Sequence, residues 1–213
     1  MMLSMQFILL SVIPLALASR DAYQEKIFQM HNEYRKQILE CKVDGQPAAK
    51  RMPPLIWDEE LASQAEALSK SCTFTNNNPT SRKYNPVGQN IASCGTVEDV
   101  MKRWFGQQIW YNFTEHKCSP YRRCRQYMQM VFENTTHIGC AVTECPFDEK
   151  YSHALFIVCN YGPGAKFYVR PYEAKNIKEV CPLKGTTVAA QPEHGQPQPM
   201  KYKNRNKPRR NKY

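Results

Sequence analysis

Acidic residues are scarce: 19 Asp+Glu stand against 29 Lys+Arg in 213 residues, a net charge of +10. Long apolar runs are scarcer still. One stretch, Phe7 to Ala18 (FILLSVIPLALA), is apolar but for Ser11, yet it is interrupted by Pro14 and falls short of the roughly 20 residues that a membrane-spanning helix needs. No CxxC pair occurs, so a zinc ribbon or a thioredoxin-type centre has no support. GxSxG, GxxxxGK(S/T) and HExxH are also missing, which removes the nucleophile elbow, the phosphate-binding loop and the zincin helix. What is present is a hydrophobic content of 42%, enough for a packed core, and nine cysteines.

The cysteines and the apolar run point to one compartment. Ala16-Leu17-Ala18 supplies the small residues that a signal peptidase needs, and Arg20 follows, so residues 1–18 read as a signal peptide cut after Ala18, although its first six residues carry no Lys or Arg. Export to an oxidising space lets disulfides persist. The expectation is a secreted, extracellular and soluble protein. Two N-x-S/T sequons, at Asn112 and Asn134, are then plausible glycosylation sites; Asn78-Pro79-Thr80 is disqualified by its proline.

Charge is uneven along the chain. From Pro182 to Tyr213 there are eight basic residues and one acid, Glu193, so seven of the ten net charges fall there and three on residues 1–181. This segment is rich in Pro, Gln and Asn and reads as a disordered basic tail, 182–213, after a domain spanning 19–181. Within the domain, Ile27, Met30, Tyr34 and Ile38 predict a helix over 21–39. Trp57, Leu61, Ala65 and Leu68 predict a second helix after Pro53-Pro54, with Asp58, Glu59 and Glu60 at its positive end. Val97, Val100, Trp104 and Tyr111 predict a third. Ile138 to Val142 and Leu155 to Val158 read as strands. Helices and strands mix without a βαβ repeat, which favours the α+β class.

Four segments then match a known family. They are His31-Asn32-x-x-Arg35 with Leu55-x-Trp57-x-x-x-Leu61-Ala62; Gly88-Gln89-Asn90-Ile91; Gln126-Tyr127-Met128-Gln129 with Ile138-Gly139-Cys140; and Phe156-Ile-Val-Cys159-Asn160-Tyr161-Gly162-Pro163-Gly164. In order and spacing, over about residues 22–166, they resemble the CAP superfamily of cysteine-rich secretory, antigen 5 and pathogenesis-related 1 proteins. Among its branches the chain looks most like the venom allergen-like proteins of parasitic worms, flatworms included. The resemblance implies a three-layer α-β-α sandwich stabilised by disulfides. It also suggests the pairs Cys72–Cys140, Cys118–Cys124 and Cys145–Cys159, with Cys41, Cys94 and Cys181 left unassigned.

Departures from the family pattern bear on the chemistry. The family's tetrad of two His and two Glu, a set able to bind a divalent metal, maps onto Asn76, Gln89, Gln107 and Gln126. All four are neutral amides. They hydrogen-bond one another as donor and acceptor, but they supply no anionic or imidazole ligand and no general acid or base near neutral pH. No metal and no cofactor is therefore expected, and no catalytic residue is assigned. His31, His116, His137, His153 and His194 show no pairing at ligand spacing.

What remains is binding. The family resembles carriers of sterols and fatty acids. Phe105, Trp110 and Phe113 have the spacing of an aromatic sterol-binding motif, with an aromatic helix end in the core as the plain alternative. Phe28, Ile38, Val97 and Met101 are candidates for a fatty-acid channel between the first and third helices, which either form a groove or close on each other. The basic tail attracts polyanions, such as anionic membrane lipid or a sulfated glycan; nucleic acid is not an expected partner of an exported chain. The expected function is metal-free lipid binding at a host or tissue interface. The alternatives are a protein-interaction ligand for a host protein, with no small molecule, and a cryptic hydrolase.

Overall fold

The computed structural model describes residues 20–93, 95–146 and 154–182. The expected signal peptide, Cys94 and all of the tail after Pro182 lie outside the described residues.

Helix α1, Ala22–Leu39, opens on a reciprocal cap: Asp21 Oδ1 accepts from the Gln24 amide at 2.7 Å and Gln24 Oε1 accepts from the Asp21 amide at 3.0 Å. Ile27, His31, Arg35 and Ile38 are its buried stripe, one face of a 3.6-residue helix. The chain then forms β1, Ile56–Trp57, and α2, Glu59–Lys70. The second helix begins two residues later than Trp57, because Trp57 pairs with Ile138 in the sheet and Asp58 is the cap, accepting from the Leu61 amide at 3.0 Å. Strand β2, Gly88–Ser93, precedes α3, Val97–Gly106. The third helix does not reach Tyr111. It tightens into a 3₁₀ turn at Gln107–Trp110, and Tyr111 begins the short strand β3, Tyr111–Asn112, which pairs with β4, Lys117–Cys118. Helix α4, Arg125–Met130, leads to the long strands β5, His137–Cys145, and β6, Ala154–Gly162.

The main sheet runs β1-β5-β6-β2, with β1 parallel to β5 and the other pairs antiparallel. Period-two alternation along β6 divides the core. Phe156 and Val158 pack with Ala65 and Leu68 of α2, whereas Ile157, Cys159 and Tyr161 join Ile27, Val100 and Met101 on the opposite side. The result is a three-layer α-β-α sandwich with α2 on one face and α1, α3 and α4 on the other. On the α2 face, Gly139 allows the closest approach of helix and sheet: a Cβ there would lie 2.6 Å from the Asp58 carbonyl oxygen and the Leu61 carbonyl carbon.

Arg35 locks α1 to the loops, fully buried and without an ion-pair partner among the described residues. Its guanidinium donates to the carbonyls of Pro53, Met130, Phe132 and Thr135 at 2.9–3.2 Å. Burial brings its pKa down only to about 10, so it stays charged at neutral pH.

Four disulfides close the domain: Cys41–Cys181, Cys72–Cys145, Cys118–Cys124 and Cys140–Cys159. The short Cys118–Cys124 pair is as expected. Cys72–Cys140 and Cys145–Cys159 are not formed, and strand register explains why. Cys140 is directly opposite Cys159, at a Cα separation of 4.1 Å, and both face α1. Cys145 is opposite Ala154, five residues along β6 from Cys159, and faces α2. At about 3.4 Å per residue that offset exceeds the reach of a disulfide. Cys72, just past the end of α2, meets Cys145 instead.

Candidate functional site

The four tetrad positions converge on one cleft, each brought there by a different element: Asn76 by the loop after α2, Gln89 by β2, Gln107 by the 3₁₀ turn and Gln126 by α4. They join as two amide pairs. Asn76 Nδ2 donates to Gln89 Oε1 at 3.1 Å, and Gln107 Nε2 donates to Gln126 Oε1 at 2.8 Å. Gln89 is held further by the Asn77 amide on its oxygen and by Asn77 Oδ1 and Asn160 Oδ1 on its nitrogen. Asn160 is fully buried and donates to the Leu61 carbonyl at 3.1 Å. Gln107 Oε1 accepts from the Tyr127 amide at 3.3 Å.

A relay behind the cleft fixes its floor. His31 Nδ1 donates to the Ile27 carbonyl at 2.8 Å, so Nε2 carries the lone pair and accepts from the Tyr161 hydroxyl, also at 2.8 Å. Tyr161 Oη accepts from Asn90 Nδ2, which also donates to the Gln126 carbonyl at 3.1 Å. Burial, offset in part by the Ile27 carbonyl, brings the His31 pKa down to about 4, so the ring is neutral and structural.

The donor set does not suit a divalent metal. The side-chain oxygens of Gln89, Gln107 and Gln126 each already accept a hydrogen bond, and no anionic or imidazole donor stands among the four. Among the described residues, no group of three His, Cys, Asp or Glu is placed to hold a metal ion.

Three cavities meet at Asn76 and Gln126. One, of about 540 Å³, is lined by His116, Arg122, Arg123, Arg125 and Phe167 among others. The second, of about 460 Å³, adds Gln89, Asn90 and Gln129 with Arg125 and Phe167. The third, of about 480 Å³, includes Phe74, Arg123 and Phe156. Sequence reasoning missed these arginines, although the run Tyr121-Arg122-Arg123-Cys124-Arg125 was a readable signal.

The proposed lipid contacts are dispersed. Phe105 is buried and stacks on Tyr34 with centroids 4.0 Å apart, and Phe113 is buried against Tyr172 at 4.6 Å. Trp110 is half-buried beneath the guanidinium of Arg122, 4.9 Å from its centroid. None of the three lines the cavities described here. Ile38, Val97 and Met101 lie in the common core, so α1 and α3 close on each other rather than forming a channel. Phe28 alone of that set borders open space: a groove of about 470 Å³ on the outer side of α1, with Leu39, Met52 and Pro54 as its other apolar walls and Glu33 and Lys36 at its edge. Asn112 and Asn134 are both exposed.

The profile of the cysteine-rich secretory protein family, CAP, matches residues 28–161, which span both the tetrad positions and the central sheet. The chain belongs to the CAP family. The CAP domain is similar to mouse GLIPR1-like protein 1, 33% identical over 74% of this chain and 66% of that protein. It thus spans just under two thirds of that relative's length. Venom allergen 5.01 of Dolichovespula maculata is 32% identical over 71% of this chain and 72% of its own. Among solved structures, venom allergen-like protein 4 of Schistosoma mansoni superposes with a TM-score of 0.67 at 35% identity, covering 75% of this chain and 99% of its own. The CAP domain here is thus of the venom-allergen-like type, and its disulfides accord with an exported protein.

Proposed function

We propose that the protein is a secreted, metal-free and non-enzymatic CAP-domain carrier of a fatty acid. The observation that carries this reading is the groove on α1, whose walls of Phe28, Leu39, Met52 and Pro54 suit an acyl chain; its polar edge carries Glu33 as well as Lys36, which lies 3.9 Å from Glu40, so the apolar walls and not a charge pair would hold the ligand. Its volume of about 470 Å³ falls within the range usual for small-molecule sites, roughly 300–1,000 Å³. Burial of Phe105 and Phe113 weakens the case for a sterol at the aromatic segment. The neutral amides of the cleft argue against hydrolysis, since none can act as acid or base near neutral pH.

Leu39 is partly exposed and lines the groove, so Leu39→Gln should leave the fold intact. Apolar burial of a Leu against ligand contributes roughly 1.5–3 kcal/mol, or about ten- to a hundredfold in affinity. Displacement of a fluorescent fatty acid by palmitate should weaken by that factor. Mass spectra of organic extracts from native protein should contain fatty acid. Empty extracts together with no saturable palmitate binding would favour the protein-interaction reading, for which the exposed Tyr121 and Tyr168 offer contact surface.

A further inference from the structure

The cleft carries a second chemistry that the amide tetrad alone does not express. Three arginines, Arg122, Arg123 and Arg125, line the 540 Å³ cavity together; Arg123 also borders the cavity beside β2, and Arg125 the one beside Gln89. All three side chains are exposed, and none has an acidic partner among the described residues. No described Asp or Glu lines any of the three cavities.

Two of the arginines, Arg122 and Arg125, are also held in place. Cys124, between them, is buried and bridged to Cys118, which anchors the backbone of the segment. Arg122 lies over Trp110, and Arg125 over Phe167 with its guanidinium carbon 5.0 Å from the ring centroid. Stacking of a guanidinium on an aromatic face leaves its in-plane N–H edges free, and that edge is the one that pairs with tetrahedral oxyanions. Neutral donors stand beside them: Gln126 Nε2 has no partner among the described residues, and Asn76 Nδ2 uses one of its two hydrogens on Gln89. Neutral amides bond hydroxyls as readily as oxyanions. At the two positions where the family pattern places carboxylates, Gln89 and Gln107 remove the repulsion that an anion would meet there.

We propose that this cleft binds a polyhydroxylated ligand bearing sulfate or phosphate esters, the arginines taking the ester groups and the amides the hydroxyls. The cleft shares no lining residue with the α1 groove.

The test uses the full chain in low salt, with tryptophan emission as the readout and the Trp110→Phe variant separating Trp110 from Trp57 and Trp104. The tail contains no tryptophan, so charge binding there does not touch this signal directly. The probes are a heparin-derived hexasaccharide and inositol trisphosphate. A saturable change with either is expected, and whichever responds separates a sulfated sugar from a phosphate-ester headgroup. Arg122→Gln/Arg123→Gln/Arg125→Gln should lose at least tenfold in affinity with an unchanged far-UV spectrum, and Trp110→Phe should abolish the signal. If the triple variant misfolds, Arg125→Gln alone should still lose severalfold. Absence of any saturable change, wild-type affinity in the folded arginine variants, or a signal that survives Trp110→Phe would overturn the proposal.

Discussion

His31 shows how one residue can be essential to the fold while being inert as chemistry. It belongs to a motif of the family resemblance, and its ring is fully buried between the Ile27 carbonyl and the Tyr161 hydroxyl. Burial depresses its folded pKa from the ordinary 6.5 to about 4. The unfolded chain therefore binds a proton that the native state refuses between those two values. The contribution is fully present above pH 6.5 and is lost as pH falls from there to about 4, below which both states are protonated. The shift corresponds to a loss on the order of 3 kcal/mol across the window. Urea midpoints measured from pH 7 to 4 should fall steeply in the wild type. In His31→Gln the starting stability should be lower and the slope shallower by about one proton; an unchanged slope would assign the acid sensitivity elsewhere. Sequence reasoning found no residue at ligand spacing from His31, in keeping with its buried, structural role. It could not supply the partner, because Tyr161 is 130 positions away.

At the scale of elements, periodicity identified what was local. The stripe Ile27, Met30, Tyr34 and Ile38 gave α1 almost to its ends, and the β-rich runs gave the first halves of β5 and β6. It failed where a partner decided. Trp57 has helical spacing with Leu61 but is claimed by the β5 edge, and Tyr111 has helical spacing with Trp104 but follows a 3₁₀ turn. Two of the three expected disulfides failed for the same reason, since register across β5 and β6 is not encoded in cysteine spacing, whereas the local Cys118–Cys124 pair formed as expected. Gly139 tests that register. A methyl group there meets backbone atoms of Asp58, Leu61 and Ala62, which cannot rotate away as a side chain tip could. Gly139→Ala should cost about 1–3 kcal/mol or more. In a domain of this size that lowers Tm by roughly 2–12 °C. A melting curve superposable on the wild type would mean that α2 is not seated on the sheet at Gly139.

Over the whole molecule, two regions of positive charge must be kept apart. The residue type at each tetrad position was legible in the sequence, and the cleft assembles all four. Their partition into the pairs Asn76–Gln89 and Gln107–Gln126 was not legible, because it depends on how β2, the 3₁₀ turn and α4 converge. The tail holds seven of the ten net charges by count, yet the arginines around the cleft sit in a segment anchored by a disulfide, where charge becomes a shaped site rather than a diffuse field. The described domain is tied off at Cys181, bridged to Cys41 and hydrogen-bonded through its own amide and carbonyl to Gln46 and Gly45. Truncation after Pro182 should therefore leave Tm within about a degree or two of the full chain, since a segment so poor in large apolar residues has little burial to lose. Elution from a heparin column should move to lower salt, because truncation removes eight basic residues and one acid. The Trp110 response to the hexasaccharide should persist with little change in affinity. A truncated protein that keeps its melting temperature but loses that response would show that tail and cleft act as one continuous site, with the tail supplying part of the grip on the ligand.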